Sequence, residues 1–106
     1  MTQKKQYKDF DALLQSTDLP VLVDFYAPWC GPCQMMSPII ASVGAELKDK
    51  VLVVKINTDK NPQVAEEWQI RELPTLMIFK DGKPVERLTG VHPAPQLLSL
   101  LKPLVS

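Results

Sequence analysis

Two cysteines, Cys30 and Cys33, are the residues of this sequence best suited to chemistry, because they are its only cysteines and stand two residues apart. A pair at this spacing can exchange disulfides, since one thiolate attacks a disulfide and the second thiol resolves the mixed disulfide. Trp29 precedes the pair, Gly31 and Pro32 separate it, and an apolar run that we interpret as a buried strand comes shortly before. The spacing predicts thiol–disulfide exchange.

A structural zinc site is the first alternative, because a Cys-x-x-Cys pair also supplies half of many zinc sites. Such sites need four ligands, usually cysteine and histidine. This chain offers two cysteines and one histidine, His92, which lies far along the sequence. The ligand count argues against zinc, and we expect no metal.

A purely structural disulfide is the second alternative. The chain-entropy model gives a loop this short only about 2 kcal/mol of stabilisation. A chain of 106 residues can also bury a core without a disulfide. Redox chemistry is therefore the interpretation that makes use of the spacing.

Length and composition predict one domain over residues 1–106, with the 45% hydrophobic and 23% charged content of an ordinary globular protein. Twelve basic and twelve acidic residues cancel, so we expect neither nucleic acid nor a membrane surface as a partner. No apolar run approaches the length of a membrane span. The segment Met1–Gln6 lacks the apolar stretch of a secretory signal, so we expect a cytoplasmic protein.

The elements that position the cysteines follow from the hydrophobic pattern. The run Val21–Tyr26 is apolar without alternation, as expected of a strand covered on both faces. Cys30 falls at the start of the following helix, where free N–H groups and the positive end of the dipole meet solvent. One buried face of that helix carries Cys33, Met36, Ile40, Val43 and Leu47.

The rest of the chain predicts an α/β fold, with a central mixed β-sheet flanked by helices on both faces. The Asp81–Gly82 pair is typical of a hairpin turn, which makes the last two strands antiparallel. The remaining expected elements are a helix at Asp9–Leu14, strands at Val51–Ile56, Thr75–Lys80 and Val85–Leu88, a helix from Asn61–Pro62 to Trp68, and a closing helix carrying Leu97, Leu100, Leu101 and Leu104.

Two charged residues, Asp24 and Lys55, interrupt apolar strands. A buried carboxylate is costly unless it is paired or protonated, so burial is expected to raise the pKa of Asp24 and allow proton exchange near neutral pH. The structural alternative is an ion pair between neighbouring strands. The residues alone leave both interpretations open.

The chain resembles the thioredoxin family over essentially its whole length. Val23–Cys33 is similar to the family's active-site segment, and Leu73–Thr75 stands where the family carries its cis-proline. Other residues that match in order and spacing are Lys55, Asn57, Asp59, Asn61, Pro62, Phe79, Gly82 and Gly90. Pro28 before Trp29 and Gln34 after Cys33 are similar to thioredoxins of cyanobacteria and plastids.

This resemblance implies a thioredoxin fold and a general protein disulfide reductase. Cys30 would attack the target disulfide and Cys33 would resolve the mixed disulfide. Asp24 would accept the proton of Cys33, and Lys55 would tune Asp24. The implied target-docking surface, in which an extended target segment pairs with the backbone just before a cis-proline, consists of Trp29, Leu73, Pro74, Gly90 and Val91.

The resemblance also implies a monomer that binds no cofactor. Electrons would come from an external thioredoxin reductase, dependent on NADPH or on ferredoxin, and pass to disulfide-containing target proteins. A disulfide oxidant or isomerase is an alternative on the same fold, although Gly31 and Pro32 resemble the pair found in reductants. A non-catalytic binding subunit, whose surface rather than its thiols carries the function, is another.

Other residues are expected to serve structure. We interpret Trp68, Met35 and Met36 as packing residues, Pro38 as a helix kink and His92 as a solvated histidine.

Overall fold

The computed structural model describes residues 9–105, so the segment Met1–Gln6 lies outside the described residues. Every element expected from the sequence is present, but two helices end earlier than expected, because Trp68 is the C-cap of the third helix and Leu104 lies in a 3-10 turn after the closing helix. The elements are α1 (Phe10–Gln15), β1 (Val21–Tyr26), α2 (Gly31–Glu46), β2 (Leu52–Asn57), α3 (Pro62–Glu67), β3 (Thr75–Lys80), β4 (Lys83–Thr89) and α4 (Ala94–Leu101), followed by a 3-10 turn at Lys102–Leu104.

The described strands form one mixed sheet in the order β2-β1-β3-β4. β1 pairs with β2 in parallel, because α2 carries the chain back across the sheet, and pairs with β3 in antiparallel orientation. β3 and β4 form an antiparallel hairpin through Asp81 and Gly82, whose positive φ values of 54° and 80° suit a tight primed turn. The predicted mixed sheet is confirmed.

Helices cover both faces of this sheet, as predicted. On one face the side chains of α1 and α3 pack against Val21, Val23 and Phe25 of β1. On the other face α2 and α4 pack against Leu22 of β1 and against β3. The central strand β1 is thus buried on both sides, which explains its apolar run without alternation.

Strand β2 is less buried than the sequence predicted. Its fully buried side chains are Val54 and Ile56, whereas Lys55 is only half-buried. Within residues 9–105, β2 pairs with β1 alone, so it stands at an edge of the described sheet. Lys55 therefore reaches solvent more easily than an interior strand position would allow.

The expected packing role of Trp68 is confirmed. Its ring lies edge-on to Phe10, with ring centroids 6.4 Å apart, and to Phe79 at 5.2 Å. Met36 is a buried residue of α2, as expected of a packing residue. Met35 is 64% exposed, so the packing interpretation of Met35 is wrong. No helix within residues 9–105 is both long and apolar enough to cross a membrane.

Candidate functional site

A disulfide joins Cys30 and Cys33 at the start of α2, with their Cα atoms 5.2 Å apart. Cys30 is the N-cap of α2 and has an extended backbone, with φ at −87° and ψ at 112°. The backbone N–H of Cys33 donates to Cys30 Sγ at 3.1 Å. Pro32 fits the first turn, where its missing N–H costs no helix hydrogen bond. Cys30 therefore stands at the helix start that the sequence predicted.

Both sulfur-bearing residues are buried in the oxidised form, Cys30 with 5% and Cys33 with 4% of its surface exposed. Although Cys30 lies at the helix start, its side chain is therefore buried in the disulfide state. The two cysteines pack with Ala27, and the side chains of Tyr26 and Leu73 cover this cluster. The two cysteines nevertheless differ in their access to the surface. Cys30 lines an open pocket of about 380 Å³, and the described lining of that pocket does not include Cys33.

Trp29 forms one wall of that pocket and is 71% exposed. Its indole Nε1–H donates to Asp59 Oδ2 at 2.9 Å. Asp59 is itself oriented, because its backbone N–H donates to Asn57 Oδ1 at 2.9 Å. An exposed aromatic side chain is therefore fixed beside the disulfide. Sequence reasoning assigned no role to Asp59, since the two partners are 30 residues apart and no local pattern links them.

The Leu73–Pro74 peptide bond is cis, as the resemblance implied. The backbone N–H of Gly90 donates to the Pro74 carbonyl oxygen at 2.9 Å, so the loop after β4 is joined to the loop before β3. Gly90 has φ at +82°, a conformation that suits glycine. Leu73 contacts the cysteine cluster, and Val91, next to Gly90, is exposed. The structure thus brings the predicted docking residues into neighbouring loops at the disulfide.

His92 is half-buried, so its ring is in part solvated, and it is also hydrogen-bonded within the fold. Its Nε2 lies 2.9 Å from the Thr89 carbonyl oxygen, which can only accept, so Nε2–H is the donor there. Its Nδ1 lies 2.9 Å from the side-chain amide group of Gln96 in α4, whose NH2 can donate to a ring nitrogen that carries no proton. The ring thereby links the loop that carries Val91 to the first turns of α4.

Asp24 is fully buried, and neither of its carboxyl oxygens has a hydrogen-bond partner among the described residues. It shares a sheet face with Leu22 and with its β3 partner Leu76, and α2, the helix that carries Cys33, covers this face. Burial raises the pKa of Asp24 from its ordinary value of 3.8 to about 6, while the charge of Lys55 acts in the opposite direction. At neutral pH this carboxyl group is therefore a poorly solvated base.

Lys55 is the cross-strand partner of Asp24 in the parallel register of β1 and β2. It forms no close ion pair with Asp24 within residues 9–105, where the close ion pairs are Arg71–Glu66 and Lys102–Glu46. Its Nζ instead donates to Ser37 Oγ at 3.3 Å and lies 5.0 Å from the centroid of the Tyr26 ring. The structural alternative, a direct ion pair between the strands, is thus not formed.

The remaining pocket lining was not anticipated from the sequence. Thr58, Ile70 and Arg71 come from two loops, and no spacing in the sequence relates them to the cysteines. No group of three or more histidine, cysteine and carboxylate side chains in residues 9–105 is arranged to hold a metal ion.

Comparison with known proteins identifies the family. The thioredoxin family model matches residues 1–103. The chain belongs to the thioredoxin family. A thioredoxin-like protein of Synechocystis is 52% identical over 105 residues, which cover 99% of this chain and 100% of that protein. Chloroplastic thioredoxin Y2 of Arabidopsis thaliana is 52% identical over 94% of this chain, which spans 60% of the length of that relative.

A solved structure supports the same assignment. Chloroplastic thioredoxin z superposes with a TM-score of 0.88 at 33% identity, covering 97% of this chain and 93% of the other. The fold is the thioredoxin fold, and the resemblance to cyanobacterial and plastid thioredoxins is confirmed. With a disulfide at the family's Cys-x-x-Cys position, this chain is a protein-disulfide oxidoreductase that works by dithiol–disulfide exchange with disulfide-containing proteins and reductases.

Proposed function

We propose that this protein is a general protein disulfide reductase whose dithiol, Cys30 and Cys33, is restored by an external thioredoxin reductase. The observation that carries the proposal is the asymmetry of the disulfide toward the pocket. Both cysteines are buried in the oxidised form, but Cys30 lines the open pocket at the start of α2 and Cys33 is not part of its described lining. Such an arrangement suits one attacking sulfur and one resolving sulfur.

In the first step, the Cys30 thiolate attacks one sulfur of a target disulfide. A bond forms between Cys30 Sγ and that sulfur, and the other target sulfur leaves as a thiolate. The N–H groups at the start of α2 and the helix dipole favour the Cys30 thiolate over the thiol. The backbone N–H of Cys33, which donates to Cys30 Sγ in the disulfide, is placed to do the same for the thiolate.

In the second step, the Cys33 thiol loses its proton and attacks Cys30 Sγ, which releases the second target thiolate. Target disulfide and protein dithiol thereby become target dithiol and protein disulfide. We assign the proton-acceptor role to Asp24, because it lies under α2 and its pKa of about 6 leaves it mainly ionised at neutral pH. Lys55 is assigned the role of tuning Asp24 through its charge.

The docking surface is assigned to Trp29, Leu73, Pro74, Gly90 and Val91. An extended target segment would pair with the backbone at Leu73, since strand addition supplies main-chain hydrogen bonds without demanding one sequence. The Gly90–Pro74 hydrogen bond and the Trp29–Asp59 hydrogen bond hold the two sides of this surface in place before the target arrives. Preorganisation of this kind reduces the ordering cost of binding.

The reductase is of the NADPH-dependent or the ferredoxin-dependent type, and the protein works as a monomer in the cytoplasm. The family assignment supports a reductase partner in general. Turnover assays with each reductase type would identify the electron donor. Sedimentation of the oxidised and the reduced protein would test the monomer.

Trapping experiments test the assigned order of attack. In Cys33→Ser the attacking sulfur remains and the resolving sulfur is absent, so mixed disulfides with target proteins should accumulate through Cys30. Cys30→Ser is the matched control, because it keeps the Cys33 thiol and removes the thiol that lines the pocket, and it should trap little. Equal trapping by the two variants would contradict the proposed direction of exchange.

A further inference from the structure

Ser37 is the hydrogen-bond partner of the Lys55 ammonium group. Its hydroxyl accepts from Lys55 Nζ at 3.3 Å across the junction of α2 and β2. The same ammonium group lies 5.0 Å from the centroid of the Tyr26 ring, within range of a cation–π contact. A hydroxyl group and an aromatic face therefore hold this charge at one place on the sheet.

A second place for the ammonium group exists on the same face. Asp24 is the register partner of Lys55, and both of its carboxyl oxygens lack a hydrogen-bond partner among the described residues. An ammonium group has three donors, and a buried carboxylate attracts it strongly. Lys55 nevertheless contacts Ser37 and forms no close ion pair with Asp24 in the described structure.

We propose that Ser37 is a positioning residue that keeps the Lys55 ammonium group away from the Asp24 carboxylate. The inference rests on the proposed function, in which Asp24 is the base for Cys33. A direct ion pair would make Asp24 a weaker base, because the neighbouring positive charge stabilises its ionised form. Ser37 thus keeps Asp24 basic enough to take up a proton near neutral pH.

The surroundings of Asp24 make Lys55 the charged group that matters here. On this face β3 contributes Leu76 opposite Asp24, and α4 contributes apolar side chains. The two cysteines are joined in the disulfide and do not titrate, and the carboxylate that α2 carries, Glu46 at its last position, pairs with Lys102. β1 adds Tyr26 two residues from Asp24. The position of the Lys55 ammonium group is thus the variable that Ser37 controls.

A groove of about 650 Å³ between α2 and β2 offers Lys55 a third place. Ser37 and Lys55 both line this groove, which opens to solvent. Without the Ser37 hydroxyl, the ammonium group either approaches Asp24 or turns into the groove. The two outcomes move the pKa of Asp24 in opposite directions, so the proposal can be decided by measurement.

The test is a titration of Asp24 in the oxidised protein, followed by the carboxyl carbon signal in nuclear magnetic resonance. In Ser37→Ala the pKa of Asp24 should fall by about half a pH unit, the change expected when a charge approaches by about 1 Å in a partly buried site. In Lys55→Met the pKa should rise, because the positive charge is gone. Ser42→Ala, at an exposed position of the same helix, is the matched control and should change nothing.

The double variant Ser37→Ala with Lys55→Met separates positioning from a local effect of the hydroxyl. If Ser37 acts through Lys55, the double variant titrates like Lys55→Met alone. An unchanged or higher pKa of Asp24 in Ser37→Ala would overturn the proposal. It would also be overturned if Ser37→Ala lowered the pKa of Asp24 by the same amount when Lys55 is already replaced by Met. Because the titration measures no exchange rate, its result is independent of whether Asp24 serves as the base for Cys33.

Discussion

The sulfur of Cys30 accepts a hydrogen bond from the backbone N–H of Cys33 at 3.1 Å, so the two cysteines are linked by this contact as well as by their disulfide. The N–H belongs to the first turn of α2, whose donors have no partner within the helix. The helix dipole alone favours a negative charge there by about 0.3 to 1 kcal/mol. We therefore expect reduction of the disulfide to leave Cys30, rather than Cys33, as the sulfur favoured as a thiolate.

The reduced protein should contain one rapidly alkylated thiol, Cys30, and one slowly alkylated thiol, Cys33. Cys30 lies at the N-terminus of α2 and lines the open pocket, whereas Cys33 lies inside the helix and is not part of the described lining of that pocket. Brief treatment with iodoacetamide, followed by peptide mapping, measures the order. Modification of Cys33 first would reverse the assigned roles.

Stability should depend on pH through Asp24. The pKa of Asp24 in the folded protein, about 6, lies above its ordinary value of 3.8, so the folded state holds this proton more tightly. Below pH 3.8 the carboxyl group is neutral in the folded and the unfolded state, so it does not lower the free energy of unfolding. That free energy then falls as pH rises from 3.8 to about 6, and above pH 6 the loss of about 3 kcal/mol is complete.

Asp24→Asn should remove this dependence, because a neutral amide replaces a poorly solvated charge. Urea unfolding at pH 7 should show a more stable variant by up to about 3 kcal/mol, with a smaller difference at pH 4. A variant that gains equally at both pH values would show that the charge of Asp24 is not the cause.

The sequence predicted those parts of the fold that depend on local pattern. Burial of β1 on both faces produces an apolar run, and the Asp81–Gly82 turn has a local conformational cause, so both were predicted within their segments. The start of α2 at Cys30 followed from the same pattern. The cis peptide bond before Pro74, by contrast, came from the family resemblance, since most X–Pro bonds are trans.

Contacts between segments that are distant in the sequence could not be predicted from local pattern. The Trp29–Asp59 and Lys55–Ser37 hydrogen bonds join residues 30 and 18 positions apart, and only the packed sheet brings them together. The contacts of the His92 ring with Thr89 and Gln96 span only three and four residues, but they depend on the path of the backbone from β4 into α4. The half-burial of Lys55 likewise depends on which strands flank β2.

Asp59→Ala should weaken the docking of protein targets by freeing the Trp29 ring. One hydrogen bond is worth about 0.5 to 1.5 kcal/mol, so KM for a protein disulfide should rise roughly two- to tenfold. The rate with a small aromatic disulfide, which needs no docking surface, should change little. Asp59→Asn is the matched control, because its amide oxygen can still accept from the indole N–H. An equal loss of activity with the protein disulfide and with the small disulfide would indicate that Asp59→Ala affects the Cys30–Cys33 pair rather than docking.

His92→Ala should loosen the loop that carries Val91, because the ring links Thr89 to Gln96. KM for protein targets should rise while kcat stays near the original value, since the loop contacts the target rather than the reacting sulfurs. Gln96→Ala removes the contact of Nδ1 alone and should give a smaller effect. An unchanged KM in both variants would leave His92 with a role in packing only.

Asp24→Asn should slow resolution of the mixed disulfide more than the first attack. The Cys33 thiol is buried and has no solvent base beside it, so loss of the carboxylate removes the proton acceptor and should cost on the order of tenfold to a hundredfold in rate. In the unmodified protein, resolution should accelerate as pH rises through about 6, where Asp24 ionises, and Asp24→Asn should lack this rise. Single-turnover kinetics with a fluorescent target peptide separate the two steps, because attack forms the mixed disulfide and resolution releases the peptide.

Lys55→Met is the control that keeps the carboxyl group, and it should move the rise in resolution rate to higher pH rather than abolish it. If Asp24→Asn resolves at the original rate at neutral pH, Asp24 is only a structural neighbour of Lys55, and the proton of Cys33 leaves by another route.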